Sequence, residues 1–106
     1  MFFNKPIIVL TTINKKDANN FINNLIVKKI AACVNKIDQV NSVYKWEGKV
    51  VNEFETLLII KTLSKNIKQL KIFFEDFHPY DIPEFIILKT QTTDKYLNWM
   101  EGVISR

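Results

Sequence analysis

Lys49-Val50-Val51-Asn52-Glu53-Phe54-Glu55-Thr56-Leu57-Leu58-Ile59-Ile60-Lys61-Thr62 is the stretch that decides how the rest of the chain must fold. It carries one unbroken strand pattern that ends in a continuous apolar run. At ~3.3 Å per residue such a strand approaches ~45 Å, well beyond the usual strand length. Just before it lies Ser42-Val43-Tyr44-Lys45-Trp46, a second strand pattern, and only Glu47-Gly48 separates the two. Gly at the second central position of a two-residue turn accepts positive φ, so a tight hairpin fits, although Glu is a weaker first residue than Asn or Asp. Arms of this length should project beyond one small domain.

Upstream, Ile7 to Leu10 is an apolar run followed by Thr11-Thr12, which reads as an interior strand. Asn14 is placed to cap a helix, and Asp17 favours its N-terminus. Ala18, Phe21, Ile22, Leu25, Ile26 and Ile30 recur at helical spacing, so the first helix is expected over roughly Lys15 to Ile30. Lys28 and Lys29 would then occupy its last turn. Ala31-Ala32-Cys33-Val34 opens the next strand, whose pattern is interrupted from Asn35 to Asn41. Downstream, Ser64 is expected to cap a second helix that turns Ile67, Leu70, Phe74 and Phe77 to the core. The helix stops at His78-Pro79-Tyr80-Asp81-Ile82-Pro83-Glu84, where two prolines fix φ and bias their predecessors away from helix. Phe85-Ile86-Ile87-Leu88 then reads as a buried strand running to Thr90. A last helix starts at Thr93 or Asp94, with Tyr96, Leu97, Met100, Val103 and Ile104 on its apolar side and Gly102 weakening its end.

The order β-α-β-β-α-β plus a terminal helix is the ferredoxin-like α+β pattern, expected as one domain over residues 1–106. Right-handed crossovers place both main helices on one sheet face, with the first and third strands central. The second face of such a two-layer domain normally meets water, and its strands alternate apolar and polar. Here Ile7 to Leu10, Leu57 to Ile60 and Phe85 to Leu88 are apolar on both faces. Two helices cannot cover both sides. Together with the overlong hairpin this implies a closed homo-oligomer.

Composition narrows the function classes. The chain has 106 residues, 47% hydrophobic and 25% charged, an ordinary globular balance. The net charge is +4, but the lysines are scattered and interrupted by acids. No dense basic stripe or nucleic-acid module is present, so no nucleic-acid partner is expected. The single cysteine, Cys33, permits no intrachain disulfide, and a cytoplasmic location is the default. The start, Met1-Phe2-Phe3-Asn4-Lys5-Pro6-Ile7, begins too short an apolar run for a signal peptide, and no run is long enough for membrane insertion. With only Gly48 and Gly102, the chain holds no phosphate-binding glycine loop. The single histidine would have to serve every catalytic arrangement, so no enzyme constellation is legible.

The candidate site residues each carry two readings. His78 has two ring nitrogens suited to a metal or a proton, or it braces its loop; a lone His favours the brace. Cys33 is expected to be a small buried hydrophobe, and a soft metal ligand if exposed. Glu84 is a candidate for a hard cation or for a salt bridge to Lys61. Tyr44, Trp46, Tyr80 and Trp99 are candidates for stacking on a ligand or for an interface.

The chain resembles the CutA family of divalent-cation tolerance proteins. The match is carried by Lys29-Ile30-Ala31-Ala32-Cys33-Val34-Asn35, Ser42-Val43-Tyr44-Lys45-Trp46-Glu47-Gly48-Lys49, Glu55, Lys61-Thr62, His78-Pro79-Tyr80-Asp81-Ile82-Pro83-Glu84 and Tyr96-Leu97-Asn98-Trp99, in family order across nearly the whole chain. The resemblance implies a ferredoxin-like protomer in a tight homotrimer related in architecture to PII-type signalling proteins. It also implies a role in tolerance to divalent metals, with copper bound by some members and no established reaction. Some copper-binding members carry Cys at the position of Thr11 and a second His at that of Phe77, so only His78 of that ligand set is kept here. Two hypotheses remain. One is a non-enzymatic cytosolic trimer in metal-ion homeostasis, its ligand, such as copper, held near His78 at intersubunit clefts. The other is a PII-like small-molecule sensor or scaffold.

Overall fold

The computed structural model describes residues 4–104, so the expectation placed on Met1-Phe2-Phe3 lies outside the described residues. The chain runs β1 (Pro6–Ile13), α1 (Lys15–Val27), β2 (Cys33–Trp46), β3 (Lys49–Leu63), α2 (Ile67–Phe77, entered through a 3₁₀ turn over Ser64–Asn66), β4 (Ile86–Lys89) and α3 (Asp94–Ile104). The sheet order is β2-β3-β1-β4 with antiparallel neighbours, so the first and third strands are central as expected.

Side-chain alternation sorts the sheet into two faces. Ile7, Val9 and Ile13 of β1 and Leu58 and Ile60 of β3 pack under Ala18, Phe21 and Leu25 of α1 and Leu70, Phe73 and Phe74 of α2. Phe21 is the hub, with Phe73, Phe74 and His78 rings edge-on at 5.1, 5.4 and 5.3 Å. Such pairs add about 0.5–1.5 kcal/mol each beyond their buried area. On the other face, α3 covers only one end, where Met100 and Ile104 close over Leu63. The rest of that face, including Ile8, Leu10, Ile37, Leu57, Ile59, Ile86 and Leu88, is not covered within the chain.

Several local expectations are corrected. α1 ends at Val27 rather than Ile30, because Lys29 takes φ 60° and turns the chain. Ile30 N–H bonds to Leu25 O and Lys29 N–H to Ile26 O, both at 3.0 Å, a Schellman ending with Leu25 and Ile30 packed beneath it. Lys28 and Lys29 therefore lie past the last turn. At the other end Asn14 caps as expected, its Oδ1 accepting from Asp17 N–H at 3.1 Å. Ser64 does not cap α2: its hydroxyl accepts from Lys5 N–H at 3.0 Å and ties the helix entry to β1. In α2 it is Phe73, not Phe77, that joins the core, and Phe77 is 48% exposed under the Lys28 ammonium. β2 is continuous through Asn35 to Asn41. A bulge between Ile37 and Val40, with Gln39 at φ 59°, absorbs the break in pattern without ending the strand. β4 is not buried as expected: Ile86, Ile87 and Leu88 are 48%, 37% and 42% exposed.

The hairpin dominates the shape, which extends 47 × 24 × 22 Å. Its turn is built from Glu47 at φ 50° and Gly48 at φ +79°, the pair of positive angles that a primed two-residue turn needs. A Cβ at Gly48 would meet nothing within 4 Å, so only the backbone angle opposes substitution. Gly48→Ala should cost about 1–2 kcal/mol. Glu47→Asn should stabilise by about 0.5 kcal/mol, because Asn tolerates this region. Denaturant midpoints of the two variants, at equal protein concentration, should move in opposite directions.

Candidate functional site

His78 is held by its neighbours from every side. Its backbone N–H closes α2 onto Phe74 O at 2.9 Å, and its side chain is 8% exposed among the Phe21, Phe74 and Tyr80 rings. Tyr80 N–H donates to Nδ1 at 3.2 Å, so Nδ1 carries no proton and Nε2 must. Nε2–H donates to Thr12 O at 3.1 Å, with Thr11 Oγ1 beside it at 3.3 Å. Burial lowers the His78 pKa, while the Thr12 carbonyl and, further off, Glu55 and Asp17 pull it partly back. His78 is thus a neutral brace that joins the end of α2, the end of β1 and the loop 78–84.

The brace aims Tyr80. The Tyr80 hydroxyl donates to Glu55 Oε2 at 2.6 Å, and further along the hairpin the Tyr44 hydroxyl donates to Glu53 Oε1 at 2.5 Å. Between hairpin and loop lies a cleft of about 600 Å³ lined by Thr12, Ser42, Val43, Tyr44, Trp46, Glu53, Glu55, Tyr80, Asp81, Ile82 and Glu84. Its electrostatics are one-sided. The lining holds four carboxylates and no lysine or arginine, in a chain whose net charge is +4. The neighbours register this. Glu84 has its pKa raised by burial and then by Glu55. The Tyr44 hydroxyl is pushed up to about 12, first by its bond to Glu53. Tyr80 is pushed upward by burial and by Glu55.

Among the expected site residues, Tyr44, Trp46, Tyr80 and Glu84 meet in this cleft, with His78 behind it. Cys33 and Lys61 do not. They face each other across β2 and β3, and Lys61 also pairs with Ile8, whereas the cleft begins at Thr12, which pairs with Leu57. That is about 13 Å along the strand. A Glu84–Lys61 salt bridge is therefore not made. Cys33 is half-buried rather than buried. Trp99 lies on α3, 5.4 Å from the Tyr96 ring and outside the cleft. Glu53, Glu55 and Asp81 are the charged cleft residues that sequence reading does not single out as a site. The available signal is the i,i+2 spacing of Glu53 and Glu55, which puts two acids on the strand face that continues into Leu57 and Ile59.

His78, Cys33 and Glu84 do not form a metal set within the chain. Among the described residues no group of three or more His, Cys, Asp and Glu side chains could hold an ion. Both His78 nitrogens are engaged, and the thiolate that copper favours is at the other end of the strands. The chain's own residues do not fit a copper centre.

The split βαβ sheet, the projecting hairpin and a cleft at its base define a ferredoxin-like α+β fold with a ligand-sized hollow beside an uncovered sheet face. Residues 7–103 match the family described as CutA1 divalent ion tolerance protein, and the chain belongs to that family. Protein CutA, chloroplastic, of Arabidopsis thaliana is 40% identical over 97 residues, 91% of this chain and 53% of that protein, so the chain spans about half that relative's length. CutA1 from Oryza sativa superimposes with a TM-score of 0.88 at 39% identity, covering 93% of each chain. The PII-like protein CutA from Nostoc sp. PCC 7120, in apo form, gives 0.87 at 30% identity, covering 92% of this chain and 96% of that one. Among the described residues, no helix is long and apolar enough to cross a membrane.

Proposed function

We propose that the chain serves divalent-ion tolerance as a non-enzymatic cytoplasmic homotrimer, with its ligand held in the cleft between hairpin and loop and closed over by a neighbouring protomer. The observation that carries this reading is the apolar outer sheet face, open within one chain and continuous with the cleft through Leu57 and Thr12. A face of this composition left in water invites association, and the free edge of a strand as long as β2 offers it a register. A structural task for the one histidine supports the absence of catalysis. The PII-like reading gains support from the cleft itself, whose volume suits a small organic molecule better than a bare ion.

Cys33 reports on the assembly, since its partner Lys61 shares the outer face with Ile8. In the wild-type assembly it should label slowly with a thiol reagent, and several-fold faster in a folded variant that has lost the interface. Equal rates would remove the outer face from the interface. In the source cell, loss of the chain should lower tolerance to divalent ions. Wild type should restore it and an assembly-defective variant should not. Unchanged tolerance on loss would sink the functional reading.

A further inference from the structure

Granted that the cleft between hairpin and loop is a ligand site, as proposed, its chemistry defines the ligand more narrowly than its shape does. Glu55 lines it and yet is only 7% exposed. Tyr80 satisfies Oε2, while Oε1 has no hydrogen-bond donor among the described residues. No ion pair among the described residues neutralises either this carboxylate or that of Glu53. Oε1 is not among the buried unpartnered oxygens, so the carboxylate is held by Tyr80 on one side and open to the cleft on the other, where a cation would favour it. Glu53 stands two residues along the same strand face, so the two carboxylates are about 7 Å apart at their backbones. Tyrosine hydroxyls fix one oxygen of each and leave the other open. Trp46 adds a third ring to the lining, and aromatic faces attract cations and cover methylenes.

The geometry points to a dicationic amine, a diamine or a polyamine, as the ligand of this cleft: one ammonium on Glu55, the second on Glu53, and the methylene chain against Tyr44 and Trp46. A chain of about four or five methylenes spans that separation. A bare divalent ion would need several oxygens converging on one point, and no such group exists among the described residues. A nucleotide would set its phosphates against four carboxylates with no basic residue in the lining.

Calorimetric titration of the full chain at pH 7.5 and low salt tests this with butane-1,4-diamine and spermidine, and with butylamine, magnesium, manganese and copper chlorides in parallel. The diamine should bind at least tenfold more tightly than butylamine. It should weaken at least tenfold in Glu53→Gln and in Glu55→Gln, and a few-fold in Trp46→Ala. The Trp46 indole N–H resonance should shift on binding. Gln keeps the size and accepting oxygen of Glu, and circular dichroism melts show whether each variant is folded. No diamine heat, or affinity unchanged in both folded Gln variants, overturns the proposal. If a metal binds instead and is lost in Glu53→Gln, the amine falls while the cleft remains a ligand site. If neither amine nor metal binds, both readings fall.

Discussion

Leu88→Asp is expected to convert the assembled protein into monomers that keep their fold. Leu88 pairs with Ile8 on the outer sheet face and is 42% exposed within one chain, so an aspartate there stays hydrated in an isolated protomer. In a closed ring the same side chain would be buried against a neighbour with no cation provided for it. An uncompensated buried charge costs several kcal/mol, repeated at every symmetry-related copy. The predicted loss is therefore of assembly by several powers of ten in concentration, with little loss of secondary structure. Sedimentation velocity at micromolar concentration measures it. A wild-type dimer or tetramer would sink the number three and leave closure intact. A folded wild-type monomer would sink closure itself. Unfolding of the wild type should also shift with protein concentration, because assembly adds to the stability of the folded chain by mass action. Trp46→Asp, near the hairpin tip, gives an independent check, since the Trp46 side chain lines the cleft that a neighbour is proposed to close.

His78→Ala should be the most destabilising single substitution in the loop, at about 3 kcal/mol. It removes a buried ring packed against Phe21 and Phe74 and leaves Tyr80 N–H and Thr12 O without their partner. The pH dependence has a definite sign. Burial lowers the folded-state pKa of His78, so between the unfolded value near 6.5 and the lower folded value the unfolded chain binds more protons. The contribution of His78 to stability is fully present above pH 6.5 and is lost as pH falls toward the folded pKa. Protonated Nδ1 would also present a donor to a donor at Tyr80 N–H. Denaturant unfolding at pH 7.5 and 5.5 should show wild type losing more stability on acidification than His78→Ala. Equal losses would mean that His78 titrates freely and is not the brace described here.

How much of the fold and site was legible without the structure depends on the range of the forces involved. Strand and helix identity came through because apolar periodicity is local: Ile7 to Leu10, Phe21 to Leu25 and Leu57 to Ile60 could each be assigned from their neighbours alone. The hairpin came through because Gly48 is one of only two glycines and stands between two strand patterns. The uncovered sheet face also came through, since a strand that is apolar on both sides reveals a missing layer whatever that layer is. Helix ends were read less well. Lys29 ends α1 in a left-handed conformation that glycine usually takes, and Ser64 bonds to Lys5 in place of its own helix. The site was the least legible part. Whether a histidine binds or braces depends on what stands at its two nitrogens, and Thr12 and Tyr80 reach His78 only after β1 and the loop have been packed together. The gathering of Glu53, Glu55, Asp81 and Glu84 against Tyr44, Trp46 and Tyr80 was likewise decided by tertiary structure, because it needs the hairpin and the loop 78–84 to meet across residues far apart in the chain. The sequence by itself determined the elements, their order and the apolar character of the outer sheet face, all consequences of local pattern; only the packed chain decided where its negative charge converges.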